Sequence, residues 1–372
     1  MFALWTARLS TLKGQVVDMR QVALFTPLNV SAQGDLGRTV GKLTARLSDP
    51  SGKFVVTGSG TYNPANGAAS AEFHSEPITF VQKGLQPQAL FPVLKGQVTS
   101  VTGNVGLNGK LAWKNGDLTS SGDLTVSNLG LATYIASMSG LNASIKFNSL
   151  YPLSTPPGQK VTVAELNPGT PLADGNLQFQ IKPGGDYVIE HMSWPWAGGR
   201  LYADDVHVRT GKATYRLPIK MENVDLARLV SLFDLKDLDL SSTIGGELPV
   251  VIENGTPYIR NGELTDDGKG GYIRYRSQAA ENLFDSGGAS ASLAMKALNN
   301  FNFKSAKITV DGSLTGSLDL GFHISGFNPD LYNGYPIEFN LAVQGKLGQL
   351  VRASMASMNV TRELQQRLKE GQ

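Results

Sequence analysis

The sequence predicts a mainly β protein: a long, strongly curved antiparallel sheet, taco-like or built as a repeat β array, with a few short helices. Three observations predict it. Apolar and polar residues alternate over long runs. Glycine supplies 42 of the 372 residues, well above an average of roughly 7%. Asn-Gly and Gly-Gly pairs punctuate the runs, as hairpin turns with positive backbone dihedrals require. With 41% hydrophobic residues the chain buries a sizeable core.

In chain order, the start MFALWTARLSTLKG is too polar for a secretory or membrane-spanning segment. An envelope protein needs an export signal or anchor, so on that reading the chain is a piece of a longer protein. Val101, Val105, Leu107, Leu111 and Trp113 then alternate with Thr102, Asn104, Asn108 and Lys110. A turn is expected at Asn115-Gly116 and a helix over 129–138. The proline-rich stretch 154–159 reads as a loop, and Gly184-Gly185 as a hairpin. A helix follows over 224–233, with hairpins at Asn254-Gly255 and Asn261-Gly262 and a helix over 290–298.

The clearest alternation comes next. Ile308, Val310, Leu314, Leu318, Leu320, Phe322 and Ile324 share one parity with Gly312 and Gly316, while Lys307, Thr309, Asp311, Ser317, Asp319 and His323 take the other. Ile337, Phe339, Leu341 and Val343 continue the pattern against Glu338, Asn340 and Gln344. One apolar and one wet face is the signature of antiparallel strands, and glycines on the apolar parity point to bulges and bends. Thr361 caps a last helical stretch to Lys369. The segment from Asn128 aligns weakly with that from Asn223, an offset of 223 − 128 = 95 residues, each read as a strand end, a short helix and a returning strand. The expected divisions are 1–127, the N-terminal part of the sheet; 128–222 and 223–350, two β repeat units; and 351–372, a helical tail.

Composition narrows the function. The chain has 33 basic and 31 acidic residues, a net charge of +2, which gives no footprint for nucleic acid. It has no cysteine, which removes disulfides, thiolate metal sites and thiol catalysis. No hydrolase, nucleotide-binding, zinc or calcium motif occurs. His74, His191, His207 and His323 are scattered, and Asp266-Asp267-Gly268 reads as a turn, with Asp204-Asp205 the other acidic pair. Trp194-Pro195-Trp196 suits a ligand groove, a membrane surface or core packing. Tyr272, Arg274, Tyr275 and Arg276 suit a solvated strand face. No catalytic residue, metal or cofactor is expected. The apolar stripes remain, and parity alone does not separate a dry core from a groove that an acyl chain covers.

Three stretches carry a family likeness: LNASIKFNSLYPLSTPPGQKVTVAELNPGTPLADGNLQFQI from Leu141, VDLARLVSLFDLKDLDLSSTIGGELPVVIENGTPYIRNGELTDDGKGGYIRY from Val224, and NGYPIEFNLAVQGKLGQLV from Asn333. They resemble the C-terminal part of the YdbH-like proteins, described in places as a dicarboxylate transport domain and grouped with AsmA-like envelope proteins such as TamB. The resemblance implies a periplasmic bridge in a Gram-negative envelope. In it, an inner-membrane anchor precedes a β sheet whose hydrophobic groove carries phospholipid acyl chains between the two membranes. It further implies that the C-terminal sheet edge is extended by a small outer-membrane lipoprotein of the YnbE type through strand addition. The lining it assigns is Val101, Val105, Leu107 and Leu111 in the first half, and Ile308, Val310, Leu314, Leu318, Leu320, Phe322, Ile324, Phe339, Leu341 and Val343 in the second. The rivals are an adhesive or structural β-solenoid with a dry core, an outer-membrane barrel and a carbohydrate-active enzyme. A barrel closes on a final strand rather than RELQQRLKEGQ, and the enzyme needs paired carboxylates that no motif supplies.

Overall fold

The alternating runs form strands, and every described pairing among them is antiparallel. These observations come from a computed structural model that describes residues 7–20, 23–36, 40–133, 136–168, 171–209, 211–232, 237–276 and 296–345. The chain divides into two units, Met1–Pro168 with Asp174–Glu190, and Gly169–Ala173 with His191–Gln372.

The first unit begins with β1 (Ala7–Val16), β2 (Leu28–Leu36), β3 (Gly41–Ser48), β4 (Val55–Asn63), β5 (Ala68–Ser75) and β6 (Ile78–Phe80). After α1 (Pro87–Leu90) come β7 (Thr99–Lys114), β8 (Asp117–Ala132), β9 (Ser137–Phe147), the small hairpin β10 (Ser149–Leu150) and β11 (Leu153–Ser154), and β12 (Gln159–Asn167). Neighbouring strands pair in the order β1-β2-β3-β4-β5-β7-β8-β9-β12, with β6 on the first half of β7. The core sits under α1, where Ile78, Phe80, Leu85, Leu90 and Val101 are buried together. Gln86 fastens this cover: its amide donates to the carbonyls of Val81 at 2.7 Å and Val101 at 2.8 Å and accepts from Val101 N–H at 2.9 Å.

Next are β13 (Leu172–Lys182) and β14 (Asp186–Trp196). The second unit continues through β15 (Gly199–Arg209), β16 (Thr214–Asp225), α2 (Leu226–Leu232), β17 (Leu238–Ser241), β18 (Thr243–Glu253) and β19 (Thr256–Asp266). It ends with β20 (Gly271–Tyr275), β21 (Phe301–Ser313), β22 (Leu318–Phe327) and β23 (Pro336–Gly345). The order is β15-β16-β18-β19-β21-β22-β23, and β20 joins β17 to β21. One core gathers Met221, Val224, Leu226, Ile244 and Leu264 beneath α2. Another gathers Ile273, Ala297, Phe301, Phe303, Ala306 and Phe339, in which the Phe301 and Phe339 rings meet edge to face at 5.0 Å.

The turns at Asn115-Gly116, Gly184-Gly185 and Asn254-Gly255 form as expected, each with two positive φ angles in succession. Asn261-Gly262 does not turn the chain. Asn261 takes φ 53° inside β19, where the register on β21 slips by one residue, and its N–H is satisfied by the Asp311 carboxylate at 2.9 Å. It is a bulge. The run 308–324 is likewise two strands joined by a turn, with Leu314 in the turn and its N–H on the Pro257 carbonyl at 3.0 Å. Its parity survives because Gly312 faces Leu318 across the hairpin.

The helix expected over 129–138 is absent, since β8 runs to Ala132 and β9 starts at Ser137. At the matching place in the second copy α2 does form, and one difference between the copies is its cap. Asp225 accepts the N–H groups of Ala227 at 2.8 Å and Arg228 at 3.1 Å, capping the helix, whereas its counterpart 95 residues earlier is Gly130, which has nothing to cap with. What repeats is the bulge: Asn128 and Asn223 both adopt left-handed φ, 50° and 52°, where the register slips. Each lies against a glycine. A Cβ at Gly103 would stand 2.6 Å from the Asn128 carbonyl oxygen, and one at Gly199 would stand 2.4 Å from the Asn223 carbonyl carbon. Of the helix expected over 290–298 only its end lies within the described residues, where 296–298 are helical. The C-terminal stretch 361–369 lies outside them.

Each bulge also switches parity. On β8 the apolar side passes from Leu124 and Val126 to Leu129 and Leu131, and on β16 from Ile219 and Met221 to Val224. One extra residue keeps the same face apolar on both sides of the slip. Asparagine suits the position because its short polar side chain tolerates the left-handed region, which a β-branched residue does not. Asn223→Val should cost about 1–3 kcal/mol in denaturant unfolding while Asn223→Gly stays close to the parent; equal midpoints for the two variants would refute the backbone argument.

The turn after β19 carries a pH-dependent contact. Asp267 accepts from the Lys269 ammonium at 2.9 Å, from the Lys269 backbone at 3.0 Å and from the Thr243 hydroxyl at 2.9 Å, and these bonds hold its carboxyl at about 2, below the ordinary 3.8. A lowered folded value means that the stabilisation is complete above the ordinary value and is lost as pH falls through the folded one. The difference in thermal midpoint between the parent and Asp267→Asn should therefore be open at pH 6 and close as the pH approaches 2.

Candidate functional site: the apolar sheet face

Directly opposed residues of antiparallel strands point to the same face, so the registers state which side chains share a surface. In the second unit one row runs Leu201, Met221, Gly246, Leu264, Ile308, Phe322, Leu341, a single residue from each of seven neighbouring strands. Parallel rows place Val310 beside Leu320 and Val343, Ala306 beside Ile324 and Phe339, and Gly312 beside Leu318. The expected lining of β21, β22 and β23 is thus one face. Its coverage varies along the rows. Val310 and Phe339 are buried; Ile308, Leu318, Leu320, Phe322, Ile324 and the turn residue Leu314 are half-buried; Leu341 on β23 is 42% exposed.

In the first unit the residues expected on β7 divide. Val101 is buried under the α1 segment and Val105 packs at the edge of that cluster. Leu107 shares a row with Leu124 and Ile145. Leu111 lies in an open trough of about 450 Å³ that crosses β3, β4, β5, β7 and β8. Leu43, Leu47, Val56, Tyr62, Phe73, Trp113 and Leu118 also line it, over a floor made small by Ala45, Gly58, Gly60, Ala69 and Ala71. Its apolar side chains are accessible: Leu43 is 40% exposed, Tyr62 43%, and Trp113 and Leu118 each 47%.

Most of this trough is invisible in the sequence. VVTGSGTYN and AASAEFHS alternate, but the trough-facing parity holds Gly58, Gly60, Ala69 and Ala71, which carry almost no hydropathy. The signal that finds them is the reverse one: consistently polar Thr57, Ser59, Thr61, Ser70, Glu72 and His74 on the opposite parity.

That opposite face is closed by cross-strand polar pairs. Lys110 meets Glu72 at 2.8 Å, which raises the lysine and lowers the glutamate from their ordinary values. Arg46 meets Glu76 at 3.1 Å, Thr57 meets His74 at 2.9 Å, and in the second unit Lys307 meets Glu263 at 2.8 Å. Arg200, Arg260 and Arg274 lie over Tyr202, Tyr258 and Tyr272 at 4.8, 4.5 and 4.7 Å. The remaining charged candidates have local partners. His191 bonds Asp204 at 2.5 Å, Asp205 is a left-handed residue bonded to His207 at 3.1 Å, and Asp266 accepts N–H groups of Gly268 and Ala306 at 3.0 and 2.8 Å. Trp196 packs on the core beneath α2, and the indole N–H groups of Trp194 and Trp196 are buried with no hydrogen-bond partner.

Among the described residues no cluster of His, Asp and Glu has the arrangement of a metal site, and no helix is long and apolar enough to cross a membrane. The face therefore offers apolar contact and shape, bounded by a hydrogen-bonded polar reverse side. Comparison with curated proteins and with solved structures gives no match. A family model described as YdbH-like, intermembrane phospholipid transport protein YdbH, matches residues 5–369 of the 372. On that near-complete match the chain belongs to the YdbH-like family of intermembrane phospholipid transport proteins.

Proposed function

We propose that the apolar face is the lipid path: phospholipid acyl chains lie on it while their headgroups stay in water, and the chain forms part of a periplasmic bridge between the inner and outer membranes of a Gram-negative envelope. The observation that carries this reading is the open trough of about 450 Å³, with four large apolar side chains at least 40% exposed along it. Exposed apolar area of this kind marks a surface that something apolar covers. Each methylene taken from bilayer to water costs about 0.8 kcal/mol, so a continuous apolar surface removes most of the penalty of passage. The work is passive, and no catalytic group has a part in it.

Membrane attachment on this reading comes from an inner-membrane anchor. Strand addition along β23, the last strand of the seven-residue row, lets a small outer-membrane lipoprotein of the YnbE type lengthen the face. A second reading, an envelope scaffold with a dry core, draws support from the burial of Val101, Val310 and Phe339.

Two measurements separate the readings. Native mass spectrometry of the chain purified from a Gram-negative envelope in mild detergent should find stoichiometric phospholipid; a stable, monodisperse and lipid-free protein favours the scaffold. Replacing Leu318 and Phe322 together by glutamate should lower bound lipid by about ten-fold or more with the circular dichroism spectrum kept. These two are half-buried on one face with Leu320 between them, so loss of the folded state in that variant would assign them to a dry core.

A further inference from the structure

Phe73 lies along the sheet instead of standing off it. Its ring crosses from β5 to β7 and covers Gly109, which is buried. A Cβ built on Gly109 would stand 2.2 Å from Phe73 Cζ and 2.6 and 2.9 Å from the two Cε atoms, and these are the three nearest heavy atoms. The backbone at Gly109 is outside the left-handed region, so the requirement for glycine there is one of space alone. The nearest positions of the row are small on both sides, with Ala45 and Gly58 before Phe73 and Gly122 beyond Gly109, and Phe147 follows on β9. A ring lying flat on a glycine is floor; the same ring lifted by one methyl group is an obstruction.

We propose that the Phe73–Gly109 pair sets the depth of the trough, and that Phe73 is a specificity-determining residue that decides whether an acyl chain fits above it; the proposal rests on the lipid reading of the trough. With Gly109→Ala the ring has no way to stay down. Backbone blocks it from beneath, and its free side is the trough. Removing the ring frees the space above residue 109, so the defect of the alanine is cured by a second truncation, Phe73→Ala. Residues in contact couple, so the reversal is read in lipid binding with the folded state kept, where it ties the defect to the height of the ring above residue 109.

The test uses the purified chain and an NBD-labelled phosphatidylethanolamine presented in phosphatidylethanolamine–phosphatidylglycerol vesicles, read as the rise in NBD fluorescence on binding. Gly109→Ala should weaken binding by about ten-fold, and Phe73→Ala with Gly109→Ala should return to within about three-fold of the parent. Phe73→Trp, which leaves Gly109 unchanged and enlarges the ring, should weaken binding in the same direction, so the outcome does not hang on the folding of one variant. If the parent binds and Gly109→Ala and Phe73→Trp bind equally well, the gate is refuted and the lipid reading stands. If the parent itself binds no lipid, the lipid reading falls and takes the gate with it.

Discussion

The structure depends on keeping one face apolar along strands up to 16 residues long. Side-chain direction in a strand has a period of two, so any slip of one residue turns every later side chain to the other face. Three of the slips fall at Asn128, Asn223 and Asn261, and each would mix the faces if the sequence kept its parity. Instead the apolar positions change parity where the backbone does. The price of this arrangement is a left-handed residue at each of these three slips, and asparagine supplies it; glycine on the adjacent strand lets the backbone come close at two of them. Bulges also raise local twist, so the same residues that preserve the face bend the strands that carry it.

Parity carried most of the fold into view at the level of sequence. The turns at Asn115-Gly116 and Asn254-Gly255, the strands around Val310, Phe322 and Phe339, and the shared face of β21 to β23 all follow from alternation and turn chemistry. Three features were hidden for separate reasons. Asn261-Gly262 has the composition of a hairpin, and only a partner strand on each side tells a bulge from a turn. The stretch after Asn128 has helical spacing, but it carries Gly130 where the second copy has the capping Asp225, and β8 continues through it. The trough of the first unit faces outward through glycine and alanine, whose small side chains leave no hydropathy signal although the surface they expose is apolar.

Small residues are also what makes a path different from a core. A dry core fills space with interdigitating side chains at high density, which resists motion. Among the residues that line the trough, Gly58, Gly60, Ala69 and Ala71 leave room above them, and larger groups such as Leu43, Tyr62 and Trp113 stand beside that room with substantial exposure. In the second unit the coverage is greater: α2 and the segment at 296–298 pack over parts of the face, burying Val224 and Phe301 to 0% exposure. The two units thus present the same alternation with different amounts of cover, and the proposed lipid contact is strongest where cover is least.

A surface that passes a chain along must hold it weakly and evenly. Strands follow one another at roughly 4.8 Å along such a row, so on the proposed reading a methylene chain exchanges one apolar contact for another where the row is uncovered. The row from Leu201 to Leu341 has an apolar side chain at six of its seven positions, with Gly246 the exception, and no charged residue interrupts it; Met221 and Leu264 within it are buried beneath α2, while Leu341 at its end is exposed. A charge in the row would strip its hydration each time a tail crossed it, at a cost of several kcal/mol. The charges sit on the reverse face and are held there by partners: Lys110 by Glu72, Lys307 by Glu263, Arg260 by Glu253. Pairing across strands on one side and apolarity on the other are the same constraint seen from two faces, since an unpaired charge that turned to the apolar face would raise a barrier in the proposed path.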